Sequence, residues 1–308
     1  MTSHEFDSKI TQTIKNLSDP DTYDVVCHEH RLGEPLPSIT NLQKIIEMVR
    51  EIIFPGYFGN TSLRPNTIHH YMGVYVDELY ELLSQEVLAG MCFECQDKDS
   101  DKVDKHTLKA KKITIQFIEH LPEIRRKLVA DVRATYLNDP AARNLGEVIF
   151  CYPAIRAITN YRMAHKLLEL EVPLIPRFIA EMAHSETGID IHPRAQIGES
   201  FTIDHGTGVV IGSTSIIGNN VKIYQGVTLG AKSFPLDENG NPIKGIPRHP
   251  IVEDDVVIYS GATILGRITI GKGSVIGGNV WVTRNLPPYS RVIQSRPKES
   301  MFADGSGI

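Results

Sequence analysis

From about residue 190 the aliphatic residues of this chain recur every six positions, a spacing that suits neither an ordinary helix nor a two-faced strand. They fall at Ile191, Ile197 and Ile203, then after a two-residue offset at Ile211, Ile217, Ile223 and Leu229, and again at Val252, Ile258, Ile264, Ile270, Ile276 and Val282. Four places after an anchor the residue is usually small or aliphatic, as at Ala195, Ser215, Val221, Ala262 and Ser274. This pattern predicts a triangular coil in which each hexad makes one face and one corner and three hexads complete a turn. The anchors fill the interior, small residues fit where it narrows, and glycine allows corner dihedrals that a Cβ disfavours. Such a repeat reads as a left-handed parallel β-helix.

Residues 1–185 carry apolar side chains at helical spacing instead, for example Ile45, Met48, Val49, Ile52 and Ile53, then Val76, Leu79, Tyr80, Leu83 and Val87. Breaks are expected at Phe54-Pro55-Gly56, the polar run 96–105, Asn138-Asp139-Pro140 and Glu171-Val172-Pro173. The expected class is therefore α+β: a helical domain over 1–185, a β-helix over 186–290 and a tail over 291–308. A column of hexads needs capping at its ends, and the helical part and the tail are the natural caps.

Within 308 residues, 41% hydrophobic and 22% charged composition is that of a globular chain. A net charge of −5 gives no nucleic-acid footprint and no attraction to an anionic membrane. No basic n-region with an apolar run opens the chain, so a cytoplasmic location is expected. Four cysteines are too sparse for a disulfide framework, and Cys92 and Cys95 lack a second CxxC for zinc, so they read as reduced thiols.

The repeat is interrupted over residues 231 to about 251 by a segment rich in Pro, Gly, Asn and Lys, which must leave the coil as a loop. Polar residues in unusual places mark the chemistry. In Ile203-Asp204-His205-Gly206-Thr207-Gly208 an acid and a histidine stand side by side, and Asp190 lies fifteen residues upstream of His205, close to one turn. Stacking is expected to bring Asp190 near His205, giving an imidazole with an acidic orienter, as a general base requires. A plainer reading stands beside it, in which His205 only caps backbone groups at a corner. His249, after Arg248 and before Pro250, reads either as a loop anchor or as part of a cleft in which Arg248 clamps a carboxylate.

The runs DIHPRAQIG (190–198), IDHGTG (203–208), QGVTLG (225–230) and PRHP (247–250) together resemble serine O-acetyltransferase, and the likeness extends upstream through Asn138-Asp139-Pro140-Ala141 and Tyr161-Arg162-Met163-Ala164-His165, covering about residues 139–297. The resemblance implies transfer of acetyl from acetyl-CoA to L-serine in cysteine biosynthesis, with no metal and no tightly bound cofactor. It implies His205 as general base and Asp190 as its orienting partner. It also implies Asp139 and Asp204 as carboxylates for the serine ammonium, and Arg248 and His249 as groups around its carboxylate and the reacting centre. Acetyl-CoA is implied along the coils beside the loop, near Gly230, Ala231, Ser260 and Gly261. The loop is longer than the short glycine-rich stretch expected of many members, and Ala231 stands where glycine is common.

The resemblance further implies a homotrimer or dimer of trimers with sites between subunits, and L-cysteine as feedback inhibitor. It also implies a complex with O-acetylserine sulfhydrylase through the terminal Ile308. Three other readings compete: the same fold with a sugar or homoserine acceptor, a metal enzyme using His192, His205 and His249, and a scaffold that kept only the repeat. A sugar offers no ammonium to Asp139 and Asp204, which weighs against the first.

Overall fold

The structure, a computed structural model, describes residues 3–27, 35–59, 63–94 and 101–295. Two compact units divide the chain, Met1–Pro35 and Leu36–Ile308. The first holds helices α1 (Ser3–Leu17) and α2 (Pro20–Tyr23), the latter capped by Asp19, whose side chain accepts from the Asp21 N–H.

The second unit begins with α3 (Ile39–Ile53), whose stripe Leu42, Ile45, Ile46, Val49, Ile52 and Ile53 is buried as its spacing requires. Next come α4 (Ile68–Glu94), α5 (Asp101–Glu119), α6 (Leu121–Asn138), α7 (Leu145–Cys151), α8 (Pro153–Glu169) and α9 (Ile175–Thr187). Helices end where proline, glycine or asparagine punctuate the sequence, as at Ile53 and Asn138. Helix α5 resumes inside the polar run read as a break, because Asp101–Glu119 keeps a helical apolar face with Ala110, Ile113 and Phe117 buried. Cys92 is buried, and Cys95 lies outside the described residues.

From Asp190 the chain winds into a parallel β-solenoid of about five turns, consistent with the left-handed coil expected from the hexads. Its strands of two or three residues form three parallel sheets, one per face. One face stacks the strands beginning at Asp190, Val210, Thr228, Thr263 and Trp281. The second stacks Gln196, Ile216, Ile251 and Thr269, and the third stacks Thr202, Lys222, Val257, Val275 and Arg291. All thirteen hexad anchors are buried. Because side chains alternate across a strand, one residue of each pair faces inward and the next outward.

The first turn would present bare carbonyls if helix α8 did not cover it. Tyr161 donates to the Ala195 carbonyl at 2.7 Å, Arg162 to that of Gly198 at 2.8 Å, and His165 Nδ1 sits 2.7 Å from that of Pro193. Arg162 also forms a bidentate pair with buried Asp131 of α6 at 2.7 and 3.0 Å, and Asp131 accepts the Phe201 N–H. The Tyr161-to-His165 run thus acts as a clamp between helices and coil. Helices α3–α9 and the coil share one continuous apolar core, and no described helix is long and apolar enough to cross a membrane.

Candidate active site

The coil's first turn is longer than the turn that follows. Asp190 pairs with Val210, twenty residues on, whereas Val210 pairs with Thr228, eighteen on. Both extra residues fall at the corner between the third face and the first, in Asp204-His205-Gly206-Thr207-Gly208, where His205, Gly206 and Gly208 take φ of +58°, +97° and +78°. Glycine is required at 206, because a Cβ there would lie 2.4 Å from Ile189 Cδ1. This bulge carries the imidazole of His205 outward, leaving its side chain 78% exposed.

His205 Nε2 lies 3.8 Å from Asp204 Oδ1, and the other oxygen of Asp204 lies 3.5 Å from Lys222 Nζ. The corner rests on the start of the coil through Gly208 N–H to Gly188 C=O and Asp190 N–H to Val209 C=O, each at 2.9 Å. Asp190 is therefore in register beneath the far arm of the bulge. Among the described residues, the carboxylate within ion-pair distance of His205 in one chain is Asp204, and Asp190 is not.

Asp139, the C-cap of α6, faces the same corner. Its Oδ1 accepts the Ala141 N–H at 2.8 Å and its Oδ2 accepts the Tyr152 hydroxyl at 2.5 Å. The Tyr152 bond, then the Ala141 N–H, holds the Asp139 carboxyl below its usual range, while Asp139 pushes the Tyr152 phenol up to about 12. Asp139, Asp204, Tyr152 and Lys222 line one small hollow, and Lys222 donates to the Asn138 carbonyl at 3.0 Å. Burial pulls the Lys222 ammonium down, but Tyr224 and Asp204 more than offset it, so it stays charged beside Asp204.

Arg248 and His249 sit on another corner, between the first and second faces, where the long loop leaves the coil. Thr228 and Thr263 are paired although thirty-five residues separate them, so the loop adds length without disturbing the stack. The returning end is fixed by Thr214, one turn below. Its hydroxyl oxygen accepts the N–H groups of Arg248 at 2.9 Å and His249 at 3.1 Å, and lies 2.8 Å from His249 Nδ1. The Thr214 N–H also donates to His249 Nδ1 at 3.1 Å, which leaves the ring proton on Nε2.

The His249 ring lies against Gly212, where a Cβ would come within 2.0 Å of it, and burial followed by Arg248 and Arg267 pushes its pKa down. Arg267 itself is committed to the carbonyls of Thr214 and His249. Beside this anchor a cavity of about 540 Å³ opens under the loop, bordered by His192, Arg194, Phe234, Lys244 and Arg248. Burial, then Arg177, Arg194, His249 and Arg248, depress the His192 pKa to about 4.

The residues expected near acetyl-CoA divide between the same two corners. Ser260 and Gly261 lie two turns above His205, with the Gly261 N–H donating to Gln225 C=O. Gly230 and Ala231 lie at the root of the loop. The thioester candidates thus lie above His205 at its corner, while at the loop corner Gly230 and Ala231 leave the coil in the same turn that Arg248 and His249 rejoin. His192 and His249 share the loop corner while His205 stands on the other, and among the described residues no group of three or more His, Cys, Asp or Glu could hold a metal ion. The terminal Ile308 lies outside the described residues.

Three residues escaped the sequence reading: Tyr152, Thr214 and Lys222. Each holds another site residue through a contact between segments distant in sequence. Lys222 carried one signal, as a cation at an outward hexad position just before Tyr224; Thr214 and Tyr152 carried none.

Residues 249–284 match the family described as bacterial transferase hexapeptide (six repeats). The chain is 50% identical over 276 residues to a plasmid-borne serine acetyltransferase of Synechococcus elongatus, covering 89% of this chain and 86% of that relative. Among solved structures it resembles Entamoeba histolytica serine acetyltransferase 1 in complex with L-cysteine, with 35% identity, a TM-score of 0.71 and coverage of 90% and 93% of the two chains. It also resembles soybean serine acetyltransferase complexed with serine, at 27% identity and a TM-score of 0.54, covering 84% of this chain and 98% of that one.

Proposed function

Because this chain belongs to the serine acetyltransferase family, and is an acyltransferase by that membership, we propose that it moves acetyl from acetyl-CoA to the hydroxyl of L-serine with His205 as general base. The observation that carries the reading is the convergence of Asp139, Asp204 and His205 at one bulged corner. Two acids suit an ammonium, and an exposed imidazole beside them suits a hydroxyl held by that ammonium's own molecule.

Serine Oγ attacks the thioester carbonyl carbon as His205 takes its proton. The tetrahedral intermediate collapses with cleavage of the C–S bond, and the imidazolium returns the proton to the departing CoA sulfur. No covalent enzyme intermediate is needed, only positioning and a base. Asp190, in register beneath the bulge, orients the ring once substrate draws His205 inward. Arg248 binds the serine carboxylate and neutral His249 offers Nε2–H to the reacting centre, while CoA runs past Gly230, Ala231, Ser260 and Gly261.

The separation of these groups onto two corners supports a site completed between subunits of a homotrimer, the His205 corner of one facing the loop corner of its neighbour. L-cysteine, which shares serine's ammonium and carboxylate, would occupy the same cradle as a feedback inhibitor. A place in cysteine biosynthesis, a cytoplasmic location and a sulfhydrylase complex through Ile308 belong to the same proposal.

The test is release of CoA thiol from acetyl-CoA with L-serine, L-homoserine or no acceptor, in the natural protein and in His205→Ala. Serine-dependent release that the variant loses by about 10²-fold or more is expected. Equal release with homoserine, or a variant with full activity, refutes the assignment.

A further inference from the structure

The acid cradle at the bulged corner is already filled by a cation of the chain itself. Lys222 reaches it from the third face, one turn above Thr202 in the stack. Its Nζ lies 3.5 Å from Asp204 Oδ2, donates to the Asn138 carbonyl at 3.0 Å, and sits 4.7 Å from the centre of the Tyr224 ring. Asp139, next along from Asn138, shares the hollow and feels the same charge. What stays free between these groups is about 10 Å³, room for no more than about one water molecule. All of these contacts lie within one chain, so they hold whichever subunit brings the loop corner.

An ammonium between two carboxylates is also what the serine reading requires at this place, and the present inference rests on that reading. Two ammonium groups cannot share so small a hollow, because like charges repel and the space is lacking. Lys222 has a second seat within reach, since the Tyr224 ring stacks on Tyr259 at 5.0 Å and 15° and its face attracts a cation. We propose that Lys222 is the specificity-determining residue of the cradle: it holds the place of the substrate ammonium, and an acceptor enters only by supplying an ammonium in exchange as Lys222 withdraws onto the Tyr224–Tyr259 stack. The exchange conserves charge at the corner, so an amino acid displaces Lys222 without stranding Asp204, whereas a hydroxy acid leaves that carboxylate unpaired. Holding the place also weakens the affinity for serine, because the open cradle is only one of two populated arrangements.

The test is calorimetric titration of the full-length protein with L-serine and with 3-hydroxypropionate, which is serine without its ammonium. The natural protein is compared with Lys222→Met, Lys222→Gln and Lys222→Arg. Both neutral variants should bind L-serine about tenfold more tightly, the scale of one surrendered hydrogen bond and one partly buried ion pair, while 3-hydroxypropionate gains nothing. Lys222→Gln keeps a donor for the Asn138 carbonyl and so separates loss of charge from a folding defect, and Lys222→Arg, which keeps the charge, should retain the natural affinity. A crystal structure of the serine complex should show Lys222 Nζ beyond ion-pair distance of Asp204. Serine affinity unchanged or weakened in both neutral variants, equal tightening of 3-hydroxypropionate, or Lys222 still paired with Asp204 beside a bound serine overturns the proposal. A natural protein that binds no serine at all refutes the serine reading and this proposal with it, an outcome the same titration distinguishes from unchanged affinity.

Discussion

Replacing Thr214 by Val isolates the device that sets Arg248 and His249 in place. Valine preserves the shape of the side chain but removes the hydroxyl. Two backbone N–H groups, of Arg248 and His249, lose their acceptor, and His249 Nδ1 loses one of its two Thr214 contacts. At a net 0.5–1.5 kcal/mol for each of three bonds the cost is roughly 1.5–4.5 kcal/mol. Water reaching this partly buried corner should bring it toward the lower end, about 1.5–3 kcal/mol. The loss stays local because Ile216 N–H still donates to Pro250 C=O and Ile251 N–H to Ile268 C=O, so the coil resumes its register directly after the loop. Since 1.4 kcal/mol is about a factor of ten, a roughly 10- to 100-fold fall in kcat/KM for serine is expected, carried mainly by KM. Thr214→Ser, which keeps the oxygen, should recover most of it. The assay is CoA thiol release across a serine series, with circular dichroism melting as the check on the coil. A Val variant within twofold of the natural protein, or a Ser variant as impaired as Val, refutes the argument.

Arg162→Met should destabilise the second unit by about 3–5 kcal/mol in urea unfolding, because it leaves the Asp131 carboxylate buried without its cation. The Asp131→Leu/Arg162→Met pair should recover only part of this, since the Phe201 N–H and Gly198 C=O still lose their partners. His192 gives a pH signature: its folded pKa of about 4 lies below the unfolded value of about 6.5, so the unfolded chain binds the proton first. Its contribution is complete above about pH 6.5 and lost as pH falls toward 4, so His192→Asn should show a shallower loss of stability over that window than the natural protein. Equal slopes would contradict the assignment.

The six-residue period was enough to reveal the coil, because thirteen aliphatic anchors can all be buried together only if the chain turns a corner every hexad. Helices in the first half were legible for the same reason, their apolar stripes matching a single period. The two-residue offset between Ile203 and Ile211 was also visible in the sequence. Its consequence was not: the register places Asp190 opposite Val210 and swings His205 outward to meet Asp204. The residues of the Tyr161-to-His165 run carried part of the family likeness, yet their work is to close the carbonyl edge of the first turn.

Periodicity reports which residues face inward, and it reports this locally, so the architecture and the candidate acids and bases could be read along the chain. Which candidates meet is a question of packing between segments 13 to 84 residues apart. Only the folded coil assigns Asp139, Asp204 and Lys222 to one corner and Thr214, Arg248 and His249 to another. The physical reason is that hydrogen bonds and charges act over a few ångströms of space, and sequence distance does not measure those ångströms once a turn can lengthen by two residues or extrude a loop without losing register.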